Sequence, residues 1–327
     1  MSRYEEVDLA RLRTFSLHRR STKVGERNLY HPPRRLESFG AFWDSLPDVL
    51  GAADLRAVVE AVLTSRSADR PVLALCGAHV LKAGMGPGLI RMIDRGLLTG
   101  LAFHGAGAIH DVELALWGET SEDVASELHK GRFGMVRETA AFVNNAAAEA
   151  REKREGFGEA IGRLLLALDR DTAGRSVLAA AYKHRVPATV HVAIGTDTIH
   201  QHPDFDGAAT GDASARDFRI LAAEVLDIGG GVVLNLGSAV ILPEVFLKAF
   251  SIAKNLGAIK EGLTTAAFDF IRHYRPMENV VRRPTLQAGR GYYLVGHHEI
   301  LLPLLFHACL RGSTKSRGSR QYGGESS

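Results

Sequence analysis

Apolar positions along the 327-residue chain follow two rhythms. Leu55, Val58, Val59, Val62 and Leu63 share one face of a predicted helix between Ala52 and Arg66. After the polar break SADR comes PVLALC, a continuous apolar run of the kind a buried parallel strand shows. A glycine-spaced loop from Gly77 to Gly88 leads into the helix GLIRMIDRG, which stops at Gly96, and a second apolar run, LLTGLAF, follows. Thr120-Ser121-Glu122-Asp123 reads as a helix start, and helical spacing then dominates with interruptions to about His184. RVPATVHVAIG is a third strand that ends at Thr196-Asp197, GGGVVLNLG a glycine-led fourth, and GLTTAAFDF and RGYYLVG two more. Predicted helices fill the spaces at Ala215–Leu226, Leu242–Asn255 and Glu299–Cys309. Short apolar strands separated by helices specify a doubly wound, mostly parallel α/β sheet with helices on both faces. Small and polar residues recur at the strand C-terminal ends, where such sheets hold ligands.

Composition adds boundaries to this pattern. Residues 1–36 are polar and basic, contain Pro32-Pro33 and read as an arm; residues 37–311 form one α/β domain; residues 312–327 form a low-complexity tail expected to be disordered. The net charge is only +3, and its basic excess sits at the two ends rather than in a stripe beside aromatic platforms, which argues against a nucleic-acid partner. No apolar run reaches the roughly 18 residues of a membrane span, and MSRYEEVDLARLR lacks the apolar core of a signal peptide, so a cytoplasmic protein without a membrane partner is expected. Cys76 and Cys309 lie far apart in apolar runs and read as buried free thiols.

The candidate chemistry clusters at the predicted strand ends. In GAGAIHD (105–111) three small residues precede a helix, so backbone amides can approach a phosphate or carboxylate, and tight helix–strand packing would require the same residues. His79, His104, His110, His191, His200, His202, His297 and His298 all fall at such ends. His104 and His110 are candidates for proton transfer, with Asp111 or Glu113 orienting one of them. Lys82, in a small-residue loop, is a candidate amine nucleophile if partly desolvated. His200-x-His202 beside Asp197 leaves open a metal-dependent hydrolase, although neither HExxH nor a cysteine-rich spacing accompanies it.

The run LALCGAHVLKAGMGPGLIRMIDRGLLTGLAFHGAGAIHDVE resembles the N-terminal half of the deoxyhypusine synthase family in the order and spacing of its strands, loop and small-residue turn. YKHRVPATVHVAIGTD, DIGGGVV, TTAAFDF, YRPMENV and LLPLL are similar to further family segments in the same order, over roughly residues 50–308. The resemblance implies a Rossmann-like subunit of a homotetramer, NAD bound at a subunit interface, and transfer of an aminobutyl group from a polyamine through an enzyme imine. It also implies a cofactor site lined by Gly84, Gly105, Ala106, Gly107, Asp111, Asp197, Gly229, Gly230 and Thr265. At two positions this chain departs from the family pattern. Pro284 falls where the imine-forming lysine is expected, and Asn235 where the catalytic histidine is expected, and neither can perform that chemistry. A small polar amine therefore remains the expected substrate class without the family's own reaction, and a ligand-binding homologue without turnover is the remaining alternative.

Overall fold

A computed structural model of the chain describes residues 38–168, 171 and 174–321, together with residues 12, 13, 16, 19 and 28–30. Most of the expected N-terminal arm lies outside the described residues. By its internal contacts the chain divides into Met1–Ala53 and Asp54–Ser327. Helix α1 (Phe39–Ser45) in the first unit is capped by Ser38, whose hydroxyl accepts from the Ala41 amide, and α2 (Leu50–Ser67) crosses the division. The second unit then runs β1 (Val72–Cys76), α3 (Ala78–Lys82), α4 (Gly86–Asp94), β2 (Gly100–His104), α5 (Gly105–Trp117), α6 (Val124–His129), α7 (Arg137–Lys153), α8 (Phe157–Leu168), α9 (Val177–Lys183) and β3 (Ala188–His191). It continues through a 3₁₀ turn (Thr198–Gln201), α10 (Gly207–Leu226), β4 (Val232–Leu236), α11 (Ile241–Asn255) and β5 (Leu263–Asp269). The short helix α12 (Tyr274–Pro276) passes into a π-helical turn and a 3₁₀ turn before β6 (Gly289–Val295) and α13 (His298–Gln321).

The strands form one six-stranded sheet in the order β3-β2-β1-β4-β5-β6, and every pair is parallel. This is the doubly wound Rossmann-like α/β fold. Central β1 and β4 are buried along their whole length, which is why PVLALC and VVLNL read as unbroken apolar runs rather than alternating ones. Edge strand β6 keeps its first three residues exposed.

Helices α10 and α11 cover one face of the sheet, where Leu73, Leu75 and Val233 meet Leu221, Val225, Phe246 and Phe250. Local signals set the helix starts. Asp206 accepts from the Ala208 and Ala209 amides, so α10 begins at Gly207 rather than at Ala215. Asp123 accepts from the Ser126 amide and starts α6, at the acidic cluster that signals a helix start in the sequence. A left-handed residue, Arg154 at φ 58, separates α7 from α8. The C-terminal helix continues through Gln321, past the boundary expected at residue 312, and residues 322–327 lie outside the described ones.

Phe246 is fully buried between α10 and the sheet. Phe246→Ala should lower the unfolding free energy by about 3–5 kcal/mol. Urea melts of both proteins check this, with the midpoint shifted and the slope unchanged.

Candidate functional site

Leaving β1 the chain turns toward α3, and leaving β4 it turns toward α11; because β1 and β4 are adjacent, their carboxyl ends are the point where the sheet changes winding direction. Ligands of open α/β sheets sit outside the strand ends at this point. The lips are Gly77 and Gly237. A Cβ on Gly77 would stand 2.1 Å from the Gly237 carbonyl oxygen, so only glycine fits. Gly237 itself has φ +66, and a Cβ there would meet the His298 ring at 2.6 Å. Buried His298 bonds the Phe268 carbonyl through Nε2 at 3.2 Å, and its ring lies 5.6 Å from that of His79. Asn235 is buried in β4 and donates to the Ser238 carbonyl at 3.0 Å, fixing the turn after Gly237. The crevice therefore presents main chain, with imidazoles behind it.

His104 joins this crevice to the neighbouring strand. Its Nε2 accepts from the Ala78 amide at 3.2 Å, which places any ring proton on Nδ1, and burial followed by the nearby His110 holds its pKa below the ordinary value. Gly105 opens α5 beneath the Asp197 carboxylate, and a Cβ on Gly105 would lie 1.9 Å from Asp197 Oδ2. The Ala106 amide donates to this carboxylate, yet burial pushes Asp197 up to about 6. His200 accepts through Nδ1 from the amides of Gly195 at 3.0 Å and Asp197 at 3.2 Å. Asp197 Oδ2 and His200 Nε2 stand 3.8 Å apart, both buried and both without a hydrogen-bond partner.

One turn along α5, His110 Nδ1 meets Thr120 Oγ1 at 2.7 Å. The Thr120 hydroxyl donates to Glu113 at 2.5 Å, and Thr139 donates to the other Glu113 oxygen at 2.9 Å. These bonds, with His110, hold Glu113 below the usual carboxylate range against the opposing effect of burial. Glu113 is thus the acid that orients His110, through a threonine. Asp111 faces the other way. It is buried and accepts from Ser176 Oγ at 2.5 Å and from the Val177 and Leu178 amides at 2.8 and 3.0 Å, capping α9. Its place is structural, and its expected share in catalysis or cofactor contact is corrected.

Other expected site residues lie apart from this rim. Gly229 and Gly230 precede β4, at the amino edge of the sheet, where the Gly230 amide donates to the Gly262 carbonyl and its own carbonyl accepts from Ser65. The glycine run that suggests a phosphate turn is on the wrong side, and the turn on the crevice side is Gly237-Ser238. Thr265 is buried within β5 and its hydroxyl lies 3.5 Å from the Val281 carbonyl, so it braces a turn. Gly107 lies against Phe103, where a Cβ would come within 2.9 Å of the ring, and serves helix–strand packing. Lys82 ends α3 with its side chain exposed, and Gly84 follows at φ +79. Pro284 lies beside the amino ends of β5 and β6. His202 is engaged by the Gly134 carbonyl, and no group of three or more metal-ligating side chains assembles among the described residues. Gly77, Gly237, Thr120 and Thr139 escaped the sequence reading. The two glycines carried a signal, since each directly follows an apolar strand; the threonines carried none.

No protein-family model matches the chain, and no curated protein matches it. Solved structures do. A chain from Methanococcus maripaludis S2 assigned to the LOR/SDH proteins is 17% identical with a TM-score of 0.51, over 80% of this chain and 70% of that one. AgrE, in a ternary complex with ornithine and NAD+, gives 16% and 0.53 over 82% of this chain but 34% of its own. A chain from Entamoeba histolytica assigned as a deoxyhypusine synthase gives 9% and 0.51 over 84% and 93%. These likenesses establish the shared fold. This chain spans about a third of AgrE.

Buried Asp217 accepts from the Gly158 and Val190 amides at 3.0 and 2.6 Å, and burial still pushes it up to about 7. The folded chain keeps this proton longer than the unfolded chain does. The associated stability is therefore full below about pH 4, near the unfolded carboxyl value, and is lost as pH rises through about 7. Against Asp217→Asn, wild type should lose relative stability steadily from pH 4 to pH 7 in urea melts. A stability difference independent of pH over this range contradicts the assignment.

Proposed function

We propose that the chain is a cytoplasmic, NAD-dependent enzyme acting on a small polar amine, of deoxyhypusine-synthase-like architecture. The observation that carries this reading is that two residues without side chains, Gly77 and Gly237, meet at the carboxyl ends of β1 and β4, the position at which this strand order receives a dinucleotide pyrophosphate. The residues present fit such a group. The lips carry no side chain, and the unpartnered Asp197 Oδ2 and His200 Nε2 beside β2 and β3 are an acceptor and a donor suited to ribose hydroxyls. The α5 N-terminus is already filled by Asp197, so the phosphates belong over β1 and β4 rather than over Gly105.

When bound, NAD supplies a hydride acceptor. An ammonium substrate must lose a proton before its carbon can give up hydride, and in this reading His110 Nε2 takes it. Its Nδ1 is held toward Thr120 Oγ1, which in turn donates to Glu113, so the ring is fixed in one orientation. Asp269, at the carboxyl end of β5, favours a cationic substrate. That ornithine and NAD+ occupy AgrE, which shares the fold, is consistent with this substrate class. The assembly implied by the resemblance is a homotetramer.

Thermal melts with NAD+ and NADH test the cofactor. Saturating dinucleotide should raise the melting temperature, with about 2.7 kcal/mol of added stability at a hundredfold excess over Kd. Ala239→Trp, which fills the crevice beside Ser238, should abolish the rise. Failure of both nucleotides to shift wild type overturns the reading. NADH formation with a panel of diamines, polyamines and basic amino acids tests the chemistry. His110→Ala should lower the rate about 10²–10⁴-fold, with a smaller loss in Thr120→Val, and an undiminished rate in His110→Ala removes that residue from the mechanism.

A further inference from the structure

At the amino edge of the sheet, away from the crevice, the start of β5 and the end of α11 border a cavity of about 490 Å³. Its volume falls in the range of small-molecule sites, which are mostly apolar with a few placed polar groups. The walls are Phe250, Ile259, Leu263 and Leu286. The first three are core residues, whereas Leu286 at the mouth is 67% exposed, a large apolar side chain left facing water.

The charges at the mouth are unbalanced. Glu261 is held by Arg70 at 3.2 Å, and Arg283 is engaged by Asn279 Oδ1 at 2.6 Å and lies 3.7 Å from Glu278. Lys254 and Lys260 have no carboxylate partner among the described residues. Lys254 Nζ instead lies 5.8 Å from the Phe250 ring centroid, directed over the apolar wall. An apolar cleft with two uncompensated ammonium groups at its mouth matches a molecule with an apolar body and one anionic head. A cationic or neutral amphiphile would leave both lysines uncompensated, and a highly charged anion such as a nucleotide would leave the walls unused.

We infer that this cavity is a binding site for a small apolar carboxylate, with its chain against Phe250, Ile259 and Leu263 and its head between Lys254 and Lys260. Nothing in the dinucleotide reading depends on it. The two sites lie at opposite edges of the sheet, so each can be lost without the other.

Calorimetric titration of the full chain, without nucleotide, with butanoate, hexanoate and octanoate tests the inference. Affinity should rise about three- to fourfold for each methylene that enters the cavity. Hexylammonium should not bind. Lys254→Ala/Lys260→Ala should weaken octanoate at least tenfold, and Ala288→Trp, an exposed substitution that fills the cavity, should abolish binding while the circular dichroism spectrum stays that of wild type. The inference is overturned by an absence of saturable carboxylate binding, by affinity without dependence on chain length, by equal binding of hexylammonium, or by octanoate binding that survives Ala288→Trp.

Discussion

The backbone contact between Gly77 and Gly237 is the constraint on which the rest of the arrangement depends. The Gly77 amide donates to the Leu236 carbonyl and the Gly237 amide to the Phe268 carbonyl, so β1, β4 and β5 stay laced together one residue beyond the strands. Only then do the chains turn away to opposite faces. A methyl group at either position would collide with main chain or with His298, pushing apart the two central strands that carry the core on both faces. The backbone left bare at these strand ends is thus a consequence of this close approach.

Three buried aspartates show a second theme. Asp111 caps α9, Asp217 takes up the amides of Gly158 and Val190, and Asp197 sits over the start of α5. Helix starts leave amides without partners, and a carboxylate that accepts two or three of them offsets part of the cost of its own burial. In each case the cost still exceeds the gain, and the carboxyl pKa rises. Asp197 and Asp217 each keep one oxygen unpartnered, and Asp197 differs because its free oxygen lies beside an equally unpartnered His200 nitrogen. Asp111 uses both of its oxygens at the start of α9 and has no capacity left for a ligand.

Much of the architecture was legible in the chain. The six apolar runs are the six strands, and the helix between each pair forces them parallel. A residue type with the same local signature in two settings is not resolved by pattern. Gly229-Gly230 and Gly237 both flank β4, but a glycine run before a strand and a glycine after it lie on opposite edges of the sheet, and only the second faces the crevice. Asp111 and Glu113 are two residues apart on α5, so they point to different sides of the helix. One meets α9, the other meets Thr120 and Thr139. Neither set of partners can be named from spacing, because each lies in a different element reached only by the path of the chain.

The amino-acid sequence by itself determined the order and type of the elements, since hydrophobic periodicity and helix caps act over a few residues and report directly on local backbone. It also determined that the carboxyl ends of the strands would gather small and titratable residues. Only the tertiary structure decided which of these residues meet. The register of β1 against β4 closes Gly77 on Gly237, and the loop after β3 swings Asp197 over Gly105. The path after α5 delivers Thr120 to His110. Each is a contact between segments whose separation along the chain leaves no periodic trace, so chemistry that depends on two side chains touching is settled by packing rather than by pattern.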